Sequence, residues 1–385
     1  MPTRWLLILC ALSFWALSCD GSIGSDPDGA EHDGGDGGDA SDAGDDGDAG
    51  EDEGASDAGD DADTGDDGGA DSGGDDTPVE RCPPLGGAPP AHACLTAGWT
   101  GFALGDLLLL DAPSMASEGT DFILQLSPAG DVVRTVLPQA EGVTGMSDLV
   151  LDPLTGNLLV SVSDWWVPVF EIRELDASGN LVRTLPMPAG KNGGNIALAF
   201  DHLGTLFVAY DDAIYRRPAG EVSLTAWWAI PAGHGVGEID LDRRGNVYLT
   251  DPFVTESVIR IAADGTSCTL AGPEEGLNSP YGLTVLASDQ VYVGGIDPDT
   301  STGRIHRIDA AGAVTLAAQG ISSPGAVLRG LDTDAAGLLY ATVEGPGPAL
   351  YAIHADGSAE LLAGPEQGLG RPARVASVST PYPCE

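Results

Sequence analysis

Positive charge is what this chain has least of. Only 16 of its 385 residues are Lys or Arg, against 59 Asp and Glu, for a formal net charge of −43. A chain so poor in cations cannot neutralise a phosphate backbone, which excludes nucleic acid as a partner, and an anionic membrane surface would repel it. Histidine is scarce too: the six are scattered, none in an H-E-x-x-H or Cys/His cluster, so zinc has no ligand set. There is no G-x-S-x-G elbow, no G-x-x-x-x-G-K-[ST] loop and no Gly-rich turn leading into a helix, which removes the commonest hydrolase and nucleotide-binding signatures. The longest apolar run, Trp5 to Leu17, is 13 residues, too short to span a bilayer.

The acids that are present are unevenly placed. Residues 20–80 hold 24 Asp and Glu with no Lys or Arg and almost no apolar side chains, so burial cannot offset their ordering entropy and a disordered linker is expected. As a flexible coil this linker would span roughly 40 to 45 Å, more if its carboxylates repel. Asp42 to Asp48 satisfies neither an EF-hand loop nor a calcium nonapeptide repeat. Ahead of it, Arg4 followed by the 13-residue apolar run reads as an export signal over residues 1–18. The sequence Ala16-Leu17-Ser18-Cys19 resembles the lipobox of bacterial lipoproteins, which implies acylation of Cys19 and a bacterial cell-envelope location, periplasmic or outer surface, with membrane contact only through the lipid. Residues 81–385 remain for one folded domain, read as a monomer.

That domain repeats itself. The break DASGN at Asp176 to Asn180 recurs as SPAGD, RPAGE, AADGT, DAAGA and HADGS, with glycines at 130, 179, 220, 265, 312 and 357. Each unit carries short apolar runs between Pro/Gly/Asp-rich turns, best seen from Gly145 to Leu185, where four runs follow one another as strands of one antiparallel sheet. Six such sheets arranged radially make an all-β, six-bladed β-propeller with four-stranded antiparallel blades. The first unit shows strands at Asp106 to Leu110, Phe122 to Leu126 and Val132 to Leu137 with no inner strand before them, while Arg371 to Thr380 starts a seventh unit that stops. The C-terminal strand is therefore expected to close the N-terminal blade.

The stretches Gly235 to Asp251 (GVGEIDLDRRGNVYLTD) and Pro280 to Val293 (PYGLTVLASDQVYV) follow the pattern P-x-G-[IL]-x-V-D-x-x-G-N-[IL]-Y-V-x-D, and in this the chain resembles NHL-repeat and senescence-marker-protein/gluconolactonase-like propellers. The resemblance implies a divalent metal, usually calcium, held by Glu, Asn and Asp at the propeller centre of a lactone or ester hydrolase. The matching positions are Ser147, Ile196, Gly237, Tyr281, Arg329 and Ala373, none of them an acid or amide. One residue away stand Asp148, Asn195 and Glu238, a shifted metal set with Asp148 or Glu238 as base, and Arg329 and Arg374 as competing partners. His234, in GHGVGE, is a further candidate base, the role that streptogramin-lyase-like propellers give a histidine.

Strand direction places the loops after each second strand, and the connectors between units, on one face, where function is sought. Trp165, Trp166, Phe253 and Tyr281 fall there, rigid aromatics suited to a peptide or a sugar ring. An acid ends each second strand (Asp111, Asp164, Asp211 or Asp212, Asp251, Asp297, Glu344), and recurrence in every unit fits a turn-forming carboxylate better than a catalytic ring. The preferred reading is therefore an envelope-anchored propeller that binds a protein, peptide or carbohydrate through Trp165, Trp166, Tyr281, Arg329 and Arg374. The alternative is a calcium-type hydrolase using Asp148, Asn195 and Glu238. Among the remaining cysteines a Cys94–Cys384 disulfide across the seam is expected, Cys82 being the other candidate for Cys384, and Cys268 is expected to be free unless the segment before the first strand wraps round to it.

Overall fold

A computed structural model describes residues 81–86, 101–113, 120–138, 144–164, 169–188, 194–286 and 288–379. The chain divides into two units, Met1–Thr77 and Pro78–Glu385, and all described residues belong to the second. Trp165, Trp166, Cys19, Cys94 and Cys384 lie outside the described residues, and with them the Cys94–Cys384 pairing.

The described chain opens with three strands, β1 (Leu107–Asp111), β2 (Phe122–Leu126) and β3 (Val132–Leu137). Five complete four-stranded antiparallel sheets follow in chain order. Blade two holds β4 (Met146–Leu151), β5 (Leu158–Asp164), β6 (Val169–Leu175) and β7 (Leu181–Pro186), and blade three β8 (Ile196–Phe200), β9 (Leu206–Tyr210), β10 (Ala213–Arg217) and β11 (Thr225–Ala229). Blade four holds β12 (Ile239–Leu241), β13 (Val247–Asp251), β14 (Ser257–Ile261) and β15 (Ser267–Ala271), and blade five β16 (Leu283–Val285), β17 (Val291–Ile296), β18 (Gly303–Ile308) and β19 (Val314–Ile321). Blade six holds β20 (Val327–Thr333), β21 (Leu339–Glu344), β22 (Ala349–Ile353) and β23 (Ala359–Ala363). The last strand, β24 (Pro372–Ser377), pairs antiparallel with β1 from Leu107↔Ser377 to Asp111↔Pro372 and completes blade one. The fold is the six-bladed propeller, closed as the sequence predicts.

Burial explains the strand patterns. Second strands such as β1 and β9 are buried at every position, since each lies inside its blade with another blade against both faces, and they read as continuous apolar runs. Fourth strands such as β3 and β23 are exposed over their first halves, because they form the outer rim. A hydrophobic cluster lies between each pair of neighbouring blades, for example Leu108 and Leu110 against Met146 and Leu149. The recurring glycine sits in the turn joining third to fourth strand, and all six copies are left-handed, with φ between 80° and 86°. At Gly130, Gly179 and Gly357 a Cβ would also strike a carbonyl of the preceding blade's outer strand. Conformation and close packing together therefore demand the residue that revealed the repeat.

One disulfide is described, and it corrects the expectation for Cys268: that cysteine is bonded to Cys82. The segment 81–86 runs along the outer edge of blade four, with an Arg81↔Thr269 parallel bridge and the Cys82 N–H donating to the Thr269 carbonyl at 3.1 Å. Arg260 and Arg244 donate to the carbonyls of Pro83 (2.6 Å) and Gly86 (2.9 Å), and Arg81 pairs with Glu274 and Glu275. The segment covers an edge that would otherwise offer unpaired backbone groups. Cys82 is thereby removed as a partner for Cys384.

Candidate functional site

Inner strands β4, β8, β12, β16, β20 and β24 stand around a central channel with one backbone edge unpaired. Each free N–H along such an edge needs an acceptor. The even-numbered blades supply it: Asp148 accepts the Leu198 N–H at 2.7 Å, Glu238 that of Leu283, Asp240 that of Val285 at 2.7 Å, and Asp332 that of Ser377 at 2.5 Å. Hydroxyls on the same blades reach the neighbouring carbonyls, Ser161 to Ile196 at 2.9 Å, Thr250 to Tyr281 at 3.0 Å and Thr342 to Ala373 at 3.4 Å. Blades two and three, four and five, and six and one are thus stapled as pairs around the axis.

At the loop face the channel ends in a cavity of about 50 Å³. Ser147, Gly237, Tyr281, Arg329 and Ala373 line it as the sequence register predicts, but the blade-three position belongs to Asn195. Ile196 is instead buried between blades two and three. Asp148, Glu238, Glu344, Arg371 and Arg374 complete the lining.

Arg374 occupies the middle of this arrangement. Its Nε lies 3.1 Å from Asp148 Oδ1, another guanidinium nitrogen pairs with Glu238, and it donates to the Leu331 carbonyl at 3.2 Å. Asp148 also accepts its neighbour Leu149's N–H at 2.7 Å. Burial pushes the Asp148 carboxyl above the ordinary range, while Arg374 and the two N–H donors pull it back. Asn195 donates its side-chain amide to the Gly237 carbonyl at 2.5 Å. With the oxygens of Asp148 and Glu238 committed to N–H donors and a guanidinium among them, the three do not fit a calcium ion, which needs several converging, uncommitted oxygens. Among the described residues no three His, Cys, Asp or Glu side chains converge as a metal set.

A second charged group sits nearer the mouth. Glu344 accepts from Arg329 on one side and from Arg371 on the other, the latter at 2.7 Å, so two guanidinium groups share one carboxylate. The two arginines hold the Glu344 carboxyl below its ordinary range against the opposing effect of burial. Arg329 lies over the Tyr281 ring at 4.8 Å, and Phe253 meets Tyr281 edge-on at 5.4 Å. Asp111, on the Arg371 side, accepts the Gly370 and Arg371 N–H groups, and burial pushes its carboxyl up to about 6. Glu344 is a site residue the sequence reading passed over as a turn former. The signal was there: it is the one glutamate in a series of aspartates, with an arm long enough to leave its own turn.

Of the other second-strand acids, Asp251 and Asp297 behave as turn formers. Asp251 accepts N–H groups from Phe253, Val254 and Thr255, and Asp297 from Asp299 and Thr300. His234 stands on the same face with Nδ1 3.1 Å from Asp251, which Thr255 Oγ1 also bonds at 2.8 Å. Although burial opposes it, the bonds from His234, Thr255 and the backbone keep the Asp251 carboxyl below its ordinary range. Trp227 and Trp228, on β11, pack against the cluster between blades three and four, Trp227 edge-on to Phe207 at 5.4 Å.

No family model matches the chain, and no curated protein matches it. Solved structures do. A protein of unknown function from Bacteroides caccae is 16% identical with a TM-score of 0.50, covering 70% of this chain and 98% of its own. A gluconolactonase from Xanthomonas campestris is 17% identical (TM-score 0.45; 69% and 95% covered), and the calcium-binding protein regucalcin from Agrobacterium tumefaciens is 18% identical (TM-score 0.42; 56% and 72% covered). At these identities the likeness is one of fold: a six-bladed propeller with gluconolactonase-like propellers among its structural neighbours.

Proposed function

We propose that the protein is a binding module of the bacterial cell envelope, whose loop face takes a protein, peptide or carbohydrate ligand presenting a carboxylate. The observation that carries this reading is the central mouth. A space of about 50 Å³ is far below the roughly 300 to 1,000 Å³ that encloses a small-molecule substrate, so one functional group enters and the rest of the ligand lies across the face. What waits there is the Arg329/Arg371 pair around a single Glu344, with Tyr281 and Phe253 beside it, a setting suited to an inserted carboxylate. Trp165 and Trp166, between β5 and β6 in the sequence, supply the outlying anchors in this proposal.

One observation speaks for the alternative, a metal-dependent lactone or ester hydrolase: Asp148, Asn195 and Glu238 line the same cavity. Arg374 in their midst speaks against it. The two readings separate in one experiment on the full chain. Capture of envelope components by the immobilised protein should fall at least about tenfold in Arg329→Ala and in the Trp165→Ala/Trp166→Ala double variant, both still melting cooperatively, and millimolar calcium should not shift the melt. Undiminished capture in both variants overturns the binding reading. A calcium-dependent rise in melting temperature that a chelator reverses and Glu238→Gln abolishes would establish the hydrolase's metal site instead.

The envelope location is part of the proposal, with Cys19 as the acylated residue and residues 20–80 as a polyanionic tether. Cys19→Ser should move the protein from the membrane fraction to the soluble one. Membrane retention of that variant with its signal removed refutes the anchor.

A further inference from the structure

The charged side chains at the outer level of the mouth are unequally committed. Arg371 gives both Nε and Nη2 to Oε1 of Glu344, at 2.7 and 2.6 Å. Arg329 gives Nε alone, to Oε2 of the same carboxylate. Its two terminal nitrogens have no hydrogen-bond partner among the described residues and are open to the mouth, on a side chain that is 26% exposed. Tyr281 supports this guanidinium from one side at 4.8 Å, and Phe253 braces the Tyr281 ring edge-on, so the group is held in place as well as exposed. A guanidinium fixed through Nε presents its outer nitrogens as a planar fork, the complement of a carboxylate.

Charge decides what the fork selects. Deeper in the channel Arg374 is more than matched by Asp148 and Glu238, and it has nothing left for a guest. At the outer level two guanidinium groups face one Glu344, which leaves a single net positive charge. Asp111, beyond Arg371, turns its oxygens to the Gly370 and Arg371 N–H groups and is not part of the cavity lining.

Resting on the reading of the loop face as the binding surface, the geometry points to Glu344 as the specificity-determining residue of the mouth. It holds both arginines by their Nε sides, leaves the Arg329 fork free, and cuts the local charge to what one carboxylate neutralises. The ligand group is therefore a monocarboxylate, and dianions such as sulfate or a phosphate monoester are refused. A dianion would set a second negative charge against Glu344 with no cation to receive it, and specificity depends on such a repulsive element as much as on the attractive one. The C-terminus of a peptide and a sugar acid both present this group.

Calorimetric titration of the full chain with N-acetyl-alanyl-alanine, glucuronate and sulfate tests the assignment. At about pH 5 Asp111, pushed up to about 6, holds its proton and adds no charge beside Arg371, while the two arginines hold the Glu344 carboxyl below its ordinary range. The expected result is saturable one-to-one binding of at least one of the two acids, with sulfate at least about tenfold weaker. Binding of the peptide alone identifies a C-terminal carboxylate as the source, and binding of glucuronate alone a sugar acid. In Glu344→Gln the affinity for sulfate should rise at least about tenfold and that for the acids less, which erases the preference. Arg371→Gln removes the excess positive charge instead and should weaken the acids about tenfold. That second variant keeps the test open should Glu344→Gln fail to fold, and undiminished binding of the acids there defeats the charge argument. A parent that takes sulfate as readily as the acids, or that binds neither acid saturably, overturns the assignment, and so does a Glu344→Gln variant in which all three affinities fall together. An unselective parent whose capture of envelope components still falls in Arg329→Ala removes this role from Glu344 and leaves the loop-face reading intact.

Discussion

A chain ending at Gly370 is expected to be recovered as aggregate, with no cooperative thermal transition. The deletion removes β24 and leaves β1 as an open edge whose residues Leu107 to Leu110 are fully buried in the closed ring. Val375 and Val378, both 0% exposed, leave the clusters that join blade one to blades six and two. At about 1.5 to 3 kcal/mol for each buried valine, together with a whole ladder of hydrogen bonds, the loss approaches the ~5 to 15 kcal/mol by which a domain is normally stable. Asp332 also loses the Ser377 N–H, and Asp148 and Glu238 lose Arg374. Size-exclusion chromatography and a circular-dichroism melt check this, and a synthetic peptide spanning residues 371–380 added during refolding should restore part of the monomer. A monomeric truncated protein with an unchanged melting temperature would sink the claim that β24 holds the ring closed.

The closure was legible because it depends on local patterns counted along the chain: three strands with no inner partner at one end, one strand with no blade at the other. The blades were legible for the same reason, since each third-to-fourth turn needs a left-handed glycine and the glycines recur. Position around the axis was not. The disulfide from Cys82 to Cys268 joins residues 186 apart, and nothing periodic tells where a coil lying ahead of the first strand will dock. Asn195 takes the place expected for Ile196 because a one-residue offset in a connector leaves the strand pattern intact while moving the side chain that faces the channel.

The axial acids were hidden differently. Glu238 was singled out in the sequence, but Asp240 and Asp242, which alternate with it along β12 and its turn, and Asp332 and Asp334 at the end of β20 were not. For Glu238, Asp240 and Asp332 the physical cause is the free inner edge, since each reaches an N–H of the next blade, whereas Asp242 and Asp334 accept N–H groups of their own turns. Placing an acid at that edge satisfies a backbone donor but gathers like charge in the channel, and the guanidinium of Arg374 offsets it at one level only.

Replacing that guanidinium should therefore be among the most costly single substitutions in the domain. Arg374→Leu keeps apolar bulk but strands Asp148 and Glu238, both about 95% buried, without their shared counter-ion. Breaking a buried ion pair on one side costs about 3 to 5 kcal/mol, and here one cation serves two acids. The deficit should depend on pH in a fixed sense. Burial already pushes the Asp148 carboxyl up, and Arg374 is among the groups pulling it back; without it the folded pKa rises further. A native state that holds the proton more tightly than the unfolded chain gains on acidification, so the variant should lie closest to the parent near pH 5 and fall away as pH rises towards 8. Adding Asp148→Asn and Glu238→Gln should return most of the lost stability at high pH, since neutral amides need no counter-ion and still accept from Leu198 and Leu283. Urea denaturation of the three proteins at both pH values gives the measurement, and a deficit below about 1 kcal/mol, or one that does not change with pH, would mean that Arg374 is not what neutralises the centre of the ring.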